Sequence, residues 1–219
     1  MHTLLRILLL SAVTLSLGGA CAKGSLVVDK PESRLVNDAI TTMWANDIRR
    51  VAKSGDWILT RSYSKTGDFI VGSTRGESFS HAAVYDAERG TIIEAINPVV
   101  REVPLEDLLA RNRYAVVVRP VGQGHIEGRK ALGRARSALG ASFDYTGLVG
   151  IDSKTRFYCS ELVAWASDIE DAPRIVTPAD LYERGELIYL SGARDEQQLQ
   201  ATALAQRRMR IRPVASVSR

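Results

Sequence analysis

A thiol, an imidazole and a carboxylate stand in this chain at three places where they could together perform acyl transfer. Cys159 lies in Phe157-Tyr158-Cys159-Ser160-Glu161-Leu162-Val163, at the start of a predicted helix. There the helix dipole and unpaired backbone N–H groups favour thiolate over thiol. His81 lies in Ser80-His81-Ala82-Ala83-Val84-Tyr85 and Glu94 in Ile92-Ile93-Glu94-Ala95, two runs that read as neighbouring strands. A nucleophile, a base and an orienting acid are the parts of a thiol acyl-transfer site. Two of these residues also have a structural alternative. A free cysteine is commonly a small buried hydrophobe, and Glu94 could be an outward-facing strand residue.

Strand geometry tests the pairing of base and acid. A four-residue connection over residues 87–90 sets Asp86 opposite Thr91, and therefore His81 opposite Ile96 and Glu94 opposite Ala83. The two functional side chains are then diagonal neighbours on one face, roughly 7–8 Å apart at the backbone. A shift of register by one residue would put them on opposite faces. Glu94 interrupts an apolar run, where an unpaired carboxylate would be costly to bury, so a buried Glu94 requires a partner.

The elements that must position these groups are legible in outline. Leu35, Ala39, Met43 or Trp44, Ile48 and Val51 recur at helical spacing over residues 32–53, and Gly55 supplies the stop. A strand follows at residues 56–60, then a turn and a short helix near residues 68–73. The His81 strand, the Glu88-Arg89-Gly90 turn, the Glu94 strand, a helix opened by Pro104 and a strand at residues 114–119 come next. A helix over residues 126–139 leads through Phe143-Asp144-Tyr145 to the Cys159 helix. Thr177-Pro178-Ala179-Asp180-Leu181 is a capped helical turn with proline in the first helical position, before a last strand at residues 187–190. This order indicates an α+β domain, an antiparallel sheet packed against helices.

The chain has 219 residues, 45% hydrophobic and 25% charged, which suits one globular domain. The first 22 residues have the layout of an export signal: Arg6, an apolar run over residues 7–17, then small residues. Two cleavages compete. Leu17-Gly18-Gly19-Ala20-Cys21 resembles a lipobox, making Cys21 a lipidated N-terminus and the product a membrane-anchored lipoprotein of the periplasm or cell envelope. Ala20-Cys21-Ala22 instead fits ordinary signal cleavage. Either outcome leaves Cys159 without a disulfide partner in the chain. Residues 23–31 read as a linker, 32–192 as the catalytic domain and 193–219 as a polar, basic C-terminal helix and tail. The formal net charge of +4 falls to +3 once Arg6 is removed, and much of the excess lies in Arg207, Arg208, Arg210 and Arg212. Such a tail is normally a solvated one, and nucleic acid is not an expected partner.

Taken together, Gly55-Asp56-Trp57-Ile58-Leu59, Ser80-His81-Ala82-Ala83-Val84-Tyr85, Ile92-Ile93-Glu94-Ala95, Tyr158-Cys159-Ser160-Glu161-Leu162 and Thr177-Pro178-Ala179-Asp180-Leu181 resemble the circularly permuted papain-fold proteins of the YiiX type. These are relatives of the NlpC cell-wall peptidases and of lecithin retinol acyltransferase. The resemblance covers residues 55–190 in consistent order. It implies a permuted papain-like (NlpC-like) fold in which Cys159 is the nucleophile, His81 the base and Glu94 the third member. It also implies action on an amide or ester bond of a small-molecule, peptide or lipid substrate of the cell envelope. Two readings remain beside an amidase: a lipid ester hydrolase or acyltransferase, and a non-catalytic envelope-binding module of the same fold.

The oxyanion of such a reaction would meet the Cys159 backbone N–H and a second donor. Tyr145 is a candidate donor or a core aromatic, and Tyr158 a candidate substrate contact. Gly122-Gln123-Gly124-His125-Ile126-Glu127-Gly128 only faintly resembles a dinucleotide loop, since the last glycine is misplaced and no βαβ unit surrounds it. His125 reads as a loop residue, and Trp44, Trp57 and Trp165 as core. Two cysteines and three scattered histidines form no zinc pattern, so no metal or cofactor is expected.

Overall fold

The computed structural model describes residues 30–31, 33–63, 79–151, 153 and 155–192. The export segment, Cys21, the helix expected near residues 68–73 and the basic tail lie outside the described residues.

The first helix, α1 (Arg34–Val51), starts where Ser33 accepts from the Val36 N–H through its side chain, and carries Arg49 and Arg50 in its last turn. It buries Asn37, Ile40, Thr41, Trp44, Ala45 and Ile48. Leu35, Ala39, Met43 and Val51, expected on the apolar face, are exposed instead. Two stripes of similar spacing run along this helix. The one chosen carries Trp44 and Ile48, with Thr41 capable of turning its hydroxyl onto the Asn37 carbonyl at 2.8 Å.

Eight strands follow in one sheet: β1 (Trp57–Ser62), β2 (His81–Asp86), β3 (Thr91–Ile96), β4 (Val99–Pro104), β5 (Asn112–Pro120), β6 (Ser142–Phe143), β7 (Arg156–Phe157) and β8 (Gly185–Leu190). Their order is β7-β6-β4-β3-β2-β1-β5-β8. All neighbours run antiparallel except β6 and β7, which are parallel. The remaining helices are α2 (Leu105–Ala110), α3 (His125–Ser137), α4 (Cys159–Ala166) and α5 (Pro178–Glu183). Strand β4 has no counterpart in the sequence reading, which passes from the Glu94 strand to Pro104.

Alternation along the strands sorts two cores. Trp57, Leu59, Ala82, Val84, Ile93, Ala95, Val116 and Val118 pack with Leu132 and Ala135 of α3, Leu162 and Val163 of α4, and Leu181 of α5. Ile58, Ala83, Tyr85, Ile92, Ala115 and Val117 pack with Ile40, Trp44 and Ile48 of α1 and with Leu105, Leu108 and Leu109 of α2. Helices therefore cover both faces of the sheet, in three layers. Each fully buried large side chain contributes about 1.5–3 kcal/mol of burial free energy. Trp165, expected in the core, is 41% exposed and leans on Phe157, with ring centroids 4.8 Å apart.

The glycine-rich segment at residues 122–128 makes a close approach between backbones. His125 is the first residue of α3 and not a loop residue. A Cβ on Gly128 would lie 2.4 Å from the Ser54 carbonyl oxygen, and one on Gly55, at φ +93°, would lie 2.3 Å from the Gly128 Cα. Only two glycines let α3 sit this close to the turn between α1 and β1.

Candidate active site

The register between β2 and β3 is the expected one. Val84 pairs with Ile93, Tyr85 with Ile92 and Asp86 with Thr91. By the same alternation His81 and Glu94 share the face of Ala83 and Ile92, the side covered by α1 and α2. His81 Nε2 and Glu94 Oε2 are 2.6 Å apart. Glu94 has no exposure to solvent, while the His81 side chain is 13% exposed.

Cys159 comes from the other layer. It is the first residue of α4, which packs on the opposite face of the sheet, and it is partly buried. The two halves meet at the end of the sheet where β2 begins. The β2–β3 ladder stops at Val84 and Ile93, so the strands part there, and the Ala82 backbone N–H bonds to the Cys159 thiol. His81 also bonds to Cys159. With Nε2 taken by Glu94, Nδ1 is the ring nitrogen left for the thiol.

The electrostatics favour an ion pair. Burial alone would lower the His81 pKa, but hydrogen bonds to Cys159 and Glu94 outweigh it and raise it to about 9. Burial alone would raise the Cys159 pKa, but His81 and the Ala82 N–H bring it below its ordinary value. Glu94 is likewise pushed up by burial and drawn down further by His81 and Arg111, well below the usual carboxylate range. These shifts favour thiolate, imidazolium and carboxylate in a row.

Two arginines complete the surroundings of Glu94, and the sequence reading names neither. Arg101 lies directly opposite Glu94 on β4 and donates from Nε to Oε1 at 3.0 Å, with Nη2 also 3.0 Å from that oxygen. Arg111, in the turn between α2 and β5, donates from Nη2 to Oε2. A buried carboxylate next to only one imidazole is under-compensated, which is the signal that a basic residue had to be sought nearby. Arg101 falls in Val99-Val100-Arg101-Glu102-Val103, a run just past Glu94 that lacks the alternation of a strand.

Tyr145 and Tyr158 separate. Tyr158 is 3% exposed, and its hydroxyl oxygen accepts from the Val176 N–H at 2.8 Å. It supports the segment after α4 and offers no open surface to a substrate. Tyr145 is 59% exposed and meets Phe143 edge-on, so the core alternative for it does not hold. Glu161 accepts from the Tyr158 N–H at 3.1 Å, which holds the entry to α4. Beside this entry the 3₁₀ turn after Thr146 exposes apolar side chains between Arg156 and Arg174. Gly147 lies under the Tyr158 ring, and Leu148, Val149, Ile151 and Ile175 are exposed nearby. No group of histidine, cysteine, aspartate and glutamate side chains able to hold a metal occurs among the described residues.

A cysteine-bearing helix against a sheet, with the histidine strand earlier in the chain than the cysteine, is the papain arrangement read in permuted order. A model of the permuted papain-like amidase family YaeF/YiiX, C92, matches residues 51–174, and the chain belongs to that family. The family supports a cysteine-type amidase or peptidase class of hydrolase. Comparison with curated proteins gives no match.

Proposed function

We propose that the protein is an exported thiol amidase that cleaves an amide bond through an acyl-enzyme on Cys159. The observation that carries this reading is the continuous contact from Cys159 through His81 to Glu94, with His81 held protonated and Cys159 favoured as thiolate. The Cys159 thiolate attacks the substrate carbonyl carbon, and the oxyanion is met by backbone N–H groups at the start of α4. As the carbon–nitrogen bond breaks, His81 gives its Nδ1 proton to the leaving amine. A water then gives a proton to neutral His81 and attacks the thioester, releasing the acid and returning the thiolate–imidazolium pair. Glu94 stays ionised throughout and holds the imidazole in orientation.

The exposed Leu148, Val149, Ile151 and Ile175 favour an N-acyl substrate with an aliphatic acyl group over a polar cell-wall peptide. The same apolar rim supports a second reading, a lipid ester hydrolase or acyltransferase. Intact-mass analysis after exposure to N-acyl amino acids, cell-wall peptides and phospholipids separates these. The expected result is an acyl adduct on Cys159 from the N-acyl amides. An adduct only from phospholipid selects the ester reading, and no adduct from any of them selects the binding module. The proposed place of action is the cell envelope, with Cys21 as lipid anchor. Cys21→Ser is expected to release the protein from the membrane fraction, and recovery of soluble wild-type protein beginning at Lys23 overturns the anchor.

A further inference from the structure

We propose that Arg111, with Arg101, is a positioning residue that sets the protonation of His81 by sharing the Glu94 carboxylate with it. Glu94 Oε2 is the shared atom. It meets both His81 Nε2, at 2.6 Å, and Arg111 Nη2. Arg101 occupies the other oxygen through two nitrogens, each at 3.0 Å. The carboxylate has no exposure to water, so among the described residues its charge is divided between these three neighbours. The charged groups acting on His81 are thus Glu94 from β3 and Cys159 from α4. Those acting on Glu94 are His81 from β2, Arg101 from β4 and Arg111 from the α2–β5 turn.

The chemistry gives this division a purpose. The inference rests on the amidase reading, in which His81 must be an acid in the first half of the turnover and a neutral base in the second. A buried carboxylate facing imidazolium alone would hold the proton too tightly for the second half. Two guanidinium groups, which do not lose their charge, keep Glu94 ionised in both halves while weakening its pull on the imidazole. The raised His81 pKa shows that the pull of Glu94 persists beside them.

The sign of the effect distinguishes this role from a merely structural one. Arg111→Gln removes a competitor on Oε2, so His81 is expected to titrate higher by on the order of one pH unit. Arg101→Gln, on the other oxygen, is expected to raise it less. Arg111→Lys keeps the charge and is expected to titrate near wild type. The measurement is ¹⁵N NMR titration of the His81 ring in the full chain, assigned by its loss in His81→Ala, together with the pH dependence of Cys159 alkylation by iodoacetamide. In the alkylation profile the step belonging to imidazolium should move up by the same amount. Neither readout uses substrate, so failure of the amidase reading leaves this test intact. A His81 titration that stays put or falls in folded Arg111→Gln overturns the proposal. Should that variant not fold, an unchanged titration in Arg101→Gln overturns it as well.

Discussion

The two ends of the β2–β3 hairpin each hold a buried carboxylate among arginines, and only one of them is a candidate for chemistry. At the far end Asp86, 1% exposed, accepts from the Glu88 N–H at 2.9 Å and from the Arg89 N–H and the Ser54 hydroxyl, and pairs with Arg136 of α3. At the near end Glu94 accepts from His81, Arg101 and Arg111. Burial and arginine partners are therefore common to both. What differs is the third partner. Asp86 closes on the backbone of its own turn, whereas Glu94 ends on an imidazole whose other nitrogen faces a thiol in another layer. A buried acid among arginines marks a place worth inspecting, and a titratable neighbour that leads onward to a thiol is what distinguishes a candidate site from a brace.

The largest expected effect is at Cys159, which only the Glu94 end of the hairpin reaches. Cys159→Ala is expected to remove acyl-adduct formation completely while the fold, judged by circular dichroism, is kept. Retained adduct in that variant would place the nucleophile elsewhere.

The next largest effect separates the two carboxylates directly. Glu94→Gln is expected to lower turnover by about 10²-fold or more with the protein folded, because the amide keeps a hydrogen bond but not the charge. Asp86→Asn is expected to cost on the order of 2–3 kcal/mol in urea unfolding and to leave the Cys159 alkylation profile unchanged. The reverse pattern would exchange the roles assigned to the two ends.

Acidity sharpens it further. With Cys159 below its ordinary pKa and His81 raised to about 9, alkylation should already be fast at neutral pH and step again near pH 9 as imidazolium is lost. The same groups bear on stability. The contribution of His81 is fully present below its unfolded pKa of 6.5 and is lost as pH rises through about 9. That of Glu94 is present above its ordinary 4.5 and is lost as pH falls toward its depressed folded value. Wild type should thus lose more stability than His81→Ala between pH 7 and about pH 10, measured by denaturant titration. Parallel curves would remove the ion pair.

The smallest expected effect is at Tyr145. If its exposed hydroxyl serves as second oxyanion donor, Tyr145→Phe should lower kcat roughly tenfold with little change in KM. An unchanged kcat would leave backbone N–H groups as the donors.

The positions of Cys159, His81 and Glu94 were legible because each depends on local pattern: a helix start, two short strands and a hairpin whose loop length fixes its register. The β2–β3 pairing follows from four connecting residues alone. The two arginines on Glu94 were not legible, because Arg101 sits on β4, whose run holds one buried apolar side chain, Val100, beside Arg101 and Glu102. Arg111 lies in a turn and reaches Glu94 across 17 residues of sequence. Trp165 shows a different limit. Residues 162–166 of α4 are apolar on every side, so periodicity could not tell which side chain would face outward. In α1 the reverse held: two stripes competed, and tertiary packing chose the one that carries Asn37 and Thr41.

The separation of Glu94 and Cys159 onto opposite faces of the sheet makes reactivity a late event in the life of the chain. A molecule in which only the α1–α2 layer has docked holds an imidazole and its acid but no nucleophile nearby. One in which only the α3–α5 layer has docked brings the thiol to the His81 strand but leaves Glu94 without the cover of α1 and α2 and without Arg111 from the turn after α2. Neither arrangement holds the complete row of thiol, imidazole and buried carboxylate, so an unfinished chain lacks part of what draws the Cys159 pKa down. Thiol reactivity thereby becomes a clock for assembly: during refolding, the onset of rapid alkylation marks the moment at which both layers have closed on the sheet.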